Sequence, residues 1–301
     1  MRYNVRDINK LAVIIKDMKT IITISLLFTF TSISSQTISD FEKYDKLVWK
    51  AMIQFKDKDY INSLENFKSA FSIIPNDSED DYFYATAAAL HLNNDLEAEK
   101  LIITSIELIN TSKDYFLNFK EFNPFRSKKL FETISNDYEK HQATFYKHLA
   151  HPEIYKEIDS LFSIDQKVRN NDGNLLETDT KNINRLIEIT KKYGWQKKGW
   201  LILWHQRETY GDNNKVWTFF KPYIDEQIVN GKMRKDFWAR FEDQKSMIQT
   251  GKQIYGLYWN QYDDSPIIDI ENVDKRRESV GLPPLWYMSK VYGINPPKEY
   301  K

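Results

Sequence analysis

A mainly α-helical fold is predicted by three observations on this 301-residue sequence. Apolar residues in the second half follow helical spacing, as Ile158, Leu161, Phe162 and Ile164 do. Residues of similar size and polarity recur at an offset of 35 in the first half. All nine glycines lie after residue 172, so the first half lacks the residue that most readily makes positive-φ turns. We expect helical hairpins followed by a helical domain with a short β or extended element.

Composition narrows the classes of function. Forty-three basic residues balance forty-three acidic ones, which removes the electrostatic reason to expect a nucleic-acid partner. The absence of cysteine excludes disulfides, thiol nucleophiles and cysteine-ligated zinc. No phosphate-binding glycine loop, nucleophile elbow or zinc-protease motif is present. We therefore predict no cofactor and no metal.

The N-terminus resembles a secretory signal peptide. Met18 and Lys19 open onto an apolar run that ends at Ile33, and small residues follow up to Ser35. The run is too short to span a bilayer comfortably. We predict Met18 as the true start, cleavage after Ser35, and a periplasmic or secreted protein without a stable membrane span; the alternative is an uncleaved anchor.

Residues 36–112 are predicted to form two helix–turn–helix repeats. The residue pairs separated by 35 positions alternate small and large side chains, as helices in close contact require. They are Ala51 and Thr86, Phe55 and Leu90, Ser63 and Ala98, Phe67 and Ile102, and Ala70 and Ser105. The segment from Tyr44 to Pro75, and that from Ala85 to Asn110, resemble tetratricopeptide repeats. Two repeats are few for a stable array, so residues 113–152, rich in phenylalanine, are predicted to cap them.

Residues 153–301 are predicted to form a C-terminal helical domain. A first helix runs over Ile158–Arg169, and Asp179 or Thr180 is expected to cap the next. Helices through Trp217 and through Phe241 follow. The alternation in Gln253–Trp259 suits a short strand or an extended loop, and Asn272–Val280 is a last helix before Gly281.

Short motifs of this domain recur in an order that resembles the bacterial domain-of-unknown-function family 6624. They are Asp165-Gln166-x-x-Arg169, the helix of Asn182, Tyr193-Gly194-Trp195, His205, Gln253-x-Tyr255-Gly256, Pro266-x-x-Asp269, Val273-Asp274-x-Arg276-Arg277 and Gly281-Leu282. The resemblance covers about residues 153–292 and implies no established activity. Chains that combine a signal peptide, tetratricopeptide-like repeats and this domain look like proteins of Bacteroidetes-type bacteria.

This chain departs from the family pattern at three positions. Leu257 and Tyr258 stand where threonine and glutamine commonly follow Tyr-Gly, and Gln244 stands where arginine is usual. These departures put any activity of this member in doubt.

Candidate site residues come from these motifs. His205 is the only histidine of the C-terminal domain, so any acid–base catalysis by an imidazole there falls to it, with Asp165 or Asp274 as its partner. The alternative is a core histidine. Asp165 and Arg169 stand four apart, which favours either simple helix support or a ligand-orienting cluster beside Gln253 and Asp274. The predicted ligand-binding residues are Arg169, Asn182, Gln253, Tyr255, Arg276 and Arg277. Either arginine of the last pair is alternatively a structural clamp on Asp269 or Glu271.

Two functions follow from these residues. The first is a non-enzymatic scaffold whose repeats hold a protein or peptide partner, with a C-terminal domain that is structural or binds a small ligand. The alternative is an envelope or extracellular hydrolase that uses His205 with a carboxylate and an arginine.

Overall fold

The N-terminal part of the chain forms two helical hairpins in the computed structural model, which describes residues 39–170 and 174–301. Helices α1 (Asp40–Lys56) and α2 (Tyr60–Ile73) make the first, and α3 (Glu79–His91) and α4 (Asp95–Ile109) the second. All the residues paired at an offset of 35 are buried, the most exposed being Phe55 at 5%. The repeat therefore marks the contact surfaces of the hairpins. The predicted signal peptide, including Met18, lies outside the described residues.

The turns inside the two hairpins repeat as well. Lys58 and Asn93, again 35 apart, both adopt left-handed backbone conformations, with φ of 63° and 57°. The residue after each turn caps the next helix, since Asp59 accepts a hydrogen bond from the N–H of Asn62 and Asn94 from that of Glu97. A lysine in this conformation carries a steric cost that asparagine largely avoids.

A layer of aromatic side chains covers the second hairpin. It comes from α5 (Lys113–Asn118), the 3-10 turn Lys120–Phe125 and α6 (Lys129–His148), of which α6 packs on α4. The Phe83 ring lies 5.1 Å from that of Phe119 and 5.0 Å from that of Phe122, measured between centroids. These contacts bury the apolar face that the two hairpins leave open.

Helices α7 (Pro152–Asn170) and α8 (Leu175–Tyr193) pair next, followed by the short α9 (Trp200–Trp204). The cap predicted at Asp179 or Thr180 was wrong. Helix α8 begins a turn earlier, where the Asn174 side chain accepts a hydrogen bond from the N–H of Glu177. Asn174, which follows a glycine in the sequence, has the same capping chemistry as the predicted residues. Asp179 therefore does not cap the helix and is available for another role.

A second core lies under α10 (Lys215–Val229) and α11 (Ala239–Thr250). Trp217, Phe220, Trp238 and Phe241 are buried there, and the Phe241 ring makes T-shaped contacts with the rings of Trp217 and Trp238. The aromatic residues of this half are therefore mainly core.

The described residues confirm a mainly α fold, and the segment predicted as a short strand or an extended loop is extended, with one bridge. Among the described residues, the extended segment after α11 makes an isolated parallel bridge from Gln253 to Ile267 and no longer strand. Helix α12 (Val273–Ser279) follows, and α13 (Leu285–Tyr292) packs against α1. No helix in the described residues is long and apolar enough to cross a membrane.

Candidate functional site

Three segments bring four polar side chains together between α7 and α9. Helix α7 places Asp165 and Arg169 one turn apart on the same face. Asp179 projects from the second turn of α8, and His205 directly follows α9. The contact between Arg169 and Asp179 joins residues 10 positions apart, and the contact between Asp165 and His205 joins residues 40 positions apart. The predicted pairing of His205 with Asp165 and Arg169 is therefore present in the fold.

The carboxylate of Asp165 lies at the centre of this cluster and is only 2% exposed. Its Oδ1 lies 2.9 Å from His205 Nδ1, and its Oδ2 accepts hydrogen bonds from Gln166 at 2.8 Å and from Arg169 Nε at 3.3 Å. Arg169 Nη2 also donates to Asp179. One guanidinium thus joins both carboxylates. This bonding satisfies Asp165 although it is removed from water.

His205 is neutral in this arrangement. Burial lowers its pKa, and the Asp165 carboxylate opposes that effect without overcoming it. Arg169 Nε also lies 3.2 Å from Nδ1 and adds to the lowering. A proton on Nδ1 donates to Asp165, whereas an unprotonated Nδ1 accepts from Arg169 Nε, so the two contacts belong to opposite tautomers. With the proton on Nδ1, the lone pair on Nε2 is available to a general base; with either tautomer, the imidazole keeps a hydrogen-bond partner inside the fold.

Arg169 stays cationic. Burial acts to lower its pKa, but the hydrogen bonds to Asp165 and Asp179 raise it overall. The three candidate metal ligands Asp165, Asp179 and His205 offer atoms within 4.8 Å of one another. However, the guanidinium already bonds to both carboxylates, and a divalent cation would face its fixed charge. The Arg169 guanidinium therefore supplies the positive charge that a metal ion would bring to these carboxylates.

Asp179 was not among the predicted site residues. Its sequence context, the start of an amphipathic helix, favoured a capping role, and nothing in the local spacing links it to Arg169 ten residues earlier. Asn182, which was predicted to bind ligand, is 3% exposed and donates to the carbonyl oxygen of Leu161 at 3.3 Å. It joins α8 to α7 beside the cluster.

The predicted residues after α11 form a separate network around a tight loop. Gln253 is fully buried, and its Nε2 donates to the carbonyl oxygens of Tyr258 and Ser265 at 3.1 and 2.9 Å. Its Oε1 accepts from the N–H of Tyr258 at 2.8 Å. Every hydrogen bond that this side-chain amide makes with the described residues joins it to a backbone group. It shapes the loop around Gly256, which has a φ of 73°.

Asp243 and Arg277 complete this network from opposite sides. Asp243 is fully buried and accepts from the N–H groups of Ile254, Tyr255 and Leu257 at 2.6, 2.7 and 2.8 Å. Arg277, 1% exposed, donates to the carbonyl oxygens of Tyr255 and Pro283. Sequence reasoning missed Asp243 as a key residue, because its partners are backbone groups that leave no side-chain pattern.

The remaining predicted residues contact the same loop and the C-terminus. Arg276 donates to the carbonyl oxygen of Ile254 and pairs with Asp269 at 3.3 Å. Asp274 accepts from the N–H of Leu285 at 2.8 Å and from the Tyr300 hydroxyl at 2.6 Å. Within residues 39–170 and 174–301, no hydrogen bond or ion pair joins Asp274 or Gln253 to His205. The predicted site is thus divided into a charge cluster and a loop network.

The departures at Leu257 and Tyr258 lie in this loop. Both contribute backbone N–H groups, to Asp243 and Gln253 respectively, which any residue except proline can supply. These backbone hydrogen bonds therefore do not depend on the identity of the two residues, although the Tyr258 side chain is itself buried and its hydroxyl donates to the carbonyl oxygen of Arg240 at 3.4 Å.

Comparison with known proteins adds no assignment. No family model matches the chain, and no curated protein and no solved structure matches it. The resemblances to family 6624 and to tetratricopeptide repeats stay predictions from the residues.

Proposed function

We propose that this protein is a non-enzymatic scaffold whose helical hairpins hold a helix-forming segment of a protein partner. The observation that carries the proposal is the seating of α13 on the hairpins. Tyr287 and Val291 of α13, four residues apart, are 2% and 3% exposed and belong to the core formed by α1 to α6. Paired apolar anchors of this spacing are how an amphipathic helix is recognised in a groove.

Polar contacts support the same recognition at the edge of α13. Lys290 pairs with Asp57 at the end of α1, and the Tyr287 ring lies 6.2 Å from that of Trp49. The face that receives α13 belongs to hairpins more than 200 positions earlier in sequence, as Lys290 and Asp57 illustrate. In this proposal the chain's own helix occupies the binding face and a partner helix competes for it.

A competition experiment tests this proposal. A fluorescent peptide of residues 283–301 is titrated into the full chain and into its Tyr287→Ala variant. We expect tighter peptide binding to the variant, because its own helix is a weaker competitor. The matched control is the same peptide with Tyr287 and Val291 replaced by alanine, which should not bind. Equal binding of both peptides, or none to either protein, would refute the proposal.

Export is part of the proposal and rests on the predicted signal peptide. Expression of the complete chain in a Gram-negative host, followed by fractionation and N-terminal mass spectrometry, tests it. We expect periplasmic or secreted protein that begins at Gln36. Protein that retains residues 18–35 in the membrane fraction would support the uncleaved anchor instead.

The second candidate is a hydrolase, favoured by the contact between His205 Nδ1 and Asp165 Oδ1. Chromogenic ester, phosphate and glycoside substrates are the test. An activity lost in both His205→Gln and Asp165→Asn, and retained in His148→Gln, would support catalysis. No turnover by the wild type, or equal turnover by all variants, would leave the cluster a structural one.

A further inference from the structure

A cavity separate from the charge cluster lies between α10, α11 and the turn that precedes α10. Its volume is about 210 Å³, and its walls are Tyr210, Gly211, Trp217, Lys221 and Lys245. An engineered protein cavity of about 150 Å³ holds benzene. This space therefore has room for one aromatic ring with a small substituent.

The walls are aromatic. The rings of Tyr210 and Trp217 meet at 86° with centroids 5.1 Å apart, and the two residues are 8% and 3% exposed. The indole N–H of Trp217 is already bonded to Thr209 Oγ1 at 2.9 Å. The Tyr210 hydroxyl, in contrast, makes no hydrogen bond with the described residues. The Tyr210 side chain is more than nine-tenths buried, but its hydroxyl oxygen is accessible from outside and is therefore open to a ligand.

The mouth of the cavity carries two ammonium groups in different states. Lys221 forms hydrogen bonds with both oxygens of Asp225 at 2.8 Å, and the Trp238 indole donates to the same carboxylate. Lys245 makes no ion pair or hydrogen bond with the part of the chain that the structure describes. Its Nζ lies 5.9 Å from the Tyr210 ring centroid and against Gly211, where a Cβ atom would collide with it.

Two acidic groups near the cavity are already bonded. Asp225 is held by Lys221 and Trp238, and Glu242 accepts a hydrogen bond from the Tyr255 hydroxyl at 2.8 Å. These are the two carboxylates whose charge acts on Tyr210. The positive charge of Lys245 is thus the one at the cavity that is left without a bonded counter-charge among the described residues.

We propose that this cavity binds a small aromatic molecule with one acidic substituent, the ring lying against Tyr210 and Trp217 and the acid pairing with Lys245. The glycine at position 211 leaves the space that the ammonium group needs to reach the mouth. This inference does not rest on the docking of α13 and concerns a different face.

Benzoate and its neutral analogue benzamide are the probes. Each is titrated into the full chain while the indole N–H signals are followed by nuclear magnetic resonance, with the Trp217 signal assigned from Trp217→Phe. We expect benzoate to shift the Trp217 signal and leave that of the exposed Trp259 unchanged. Lys245→Met keeps the aliphatic stem and should weaken benzoate binding about tenfold or more, since a charge-assisted contact is lost.

Lys232→Met is the matched control, because Lys232 is exposed and does not line the cavity. It should bind benzoate like the wild type, and benzamide should bind more weakly than benzoate to both. Absence of benzoate binding at millimolar concentration, a shift confined to Trp259, or equal losses in the two lysine variants would overturn the site. Benzamide binding as tight as that of benzoate would overturn the acidic class of ligand.

Discussion

Asp243 shows how one buried residue determines the shape of a loop. Its carboxylate receives three backbone N–H groups from residues 254–257, which are left without another acceptor if it changes. Backbone groups removed from water must be hydrogen-bonded, so the acidic side chain replaces the missing strand partner.

Replacing Asp243 with asparagine tests this role. The amide retains one acceptor oxygen and presents an NH₂ group to one of the N–H donors. Relief of the buried charge offsets part of the cost, and we expect a loss of about 2 kcal/mol in the free energy of unfolding, measured in urea. Asp263→Asn, at an exposed position, should change it by less than about 0.5 kcal/mol. Equal effects would contradict the assigned role.

His205 makes stability depend on pH in a defined direction. Burial lowers its pKa in the folded protein, so the unfolded chain binds the proton more readily. The contribution of the neutral ring is fully present above the unfolded value of about 6.5 and is lost as the pH falls below it.

We therefore expect His205→Gln to destabilise the protein more at pH 8 than at pH 5, in urea unfolding at both values. His148→Gln, at an exposed position, is the control and should give no such difference. A destabilisation by His205→Gln that is the same at both pH values would contradict the assignment.

The contact between α8 and the segment before α9 is an example at the scale of elements. Gly199 approaches α8 so closely that a Cβ atom would lie 2.6 Å from Leu186 Cδ1, and Leu186 is fully buried. The glycine has an ordinary helical φ of −67°, so the constraint is steric and not conformational. Close packing of the two elements depends on the missing side chain.

Gly199→Ala should therefore cost about 2 kcal/mol through overpacking. Combining it with Leu186→Val should recover part of that cost, because the two changes share one contact. Gly251→Ala provides the contrast: its φ is 72° but no atom lies within 4 Å of the added Cβ, so its cost is about 1 kcal/mol from the backbone alone. The loss of stability caused by Gly251→Ala should add to that caused by Leu186→Val. Additivity in both pairs would refute the steric explanation.

At the scale of the whole molecule, Arg234 connects the two halves. Its guanidinium bonds to Asp45 at 2.8 Å in α1 and to Asp77 at 2.6 and 2.8 Å before α3. The side chains are 26%, 18% and 9% exposed, and the Arg234 guanidinium also lies 4.8 Å from the Phe41 ring. One arginine thus joins two carboxylates, and it is about 190 positions away in sequence from Asp45.

Arg234→Gln leaves Asp45 without its counter-charge and Asp77 with only Lys197, 3.5 Å away, and we expect the free energy of unfolding to fall by about 3 kcal/mol. Arg234→Lys should restore little, since an ammonium group cannot bond to both carboxylates in a forked geometry. The matched control is Arg185→Gln, which removes a more exposed pair with Glu157 and should cost less than about 1 kcal/mol. Similar losses for Arg234→Gln and Arg185→Gln would show that the connection is not structural.

Near Arg234, Asp81 makes the stability of the protein depend on pH in the direction opposite to that of His205. Burial raises the pKa of Asp81 to about 7, although the Tyr44 hydroxyl, 2.7 Å away, acts to lower it. The folded state therefore holds this proton more tightly than the unfolded chain does. Its contribution to stability is present below about pH 4 and is lost as the pH rises through 7.

Asp81→Asn keeps an acceptor for Tyr44 and removes the titration. We expect the variant to be more stable than the wild type at pH 8, and the advantage to disappear at pH 4. Thermal unfolding at the two pH values measures this, with Asp263→Asn as the control. An advantage at pH 4 that equals that at pH 8 would contradict the prediction.

The sequence by itself determined the helical class, the hairpins and the candidate pairing of Asp165 with Arg169. Each depends on residues a few positions apart or on a repeat of 35 residues. Such spacings are visible in the sequence and do not depend on the tertiary structure. The cap of α8 was missed within that same range, because two capping signals stood close together. Only the tertiary structure decided that Asp179 joins the cluster, that Gln253 and Asp274 leave it, and that α13 packs on α1. Those contacts join distant segments, and many of the partners are backbone groups. Because nearly every residue has the same backbone groups, such partners leave no pattern in the sequence.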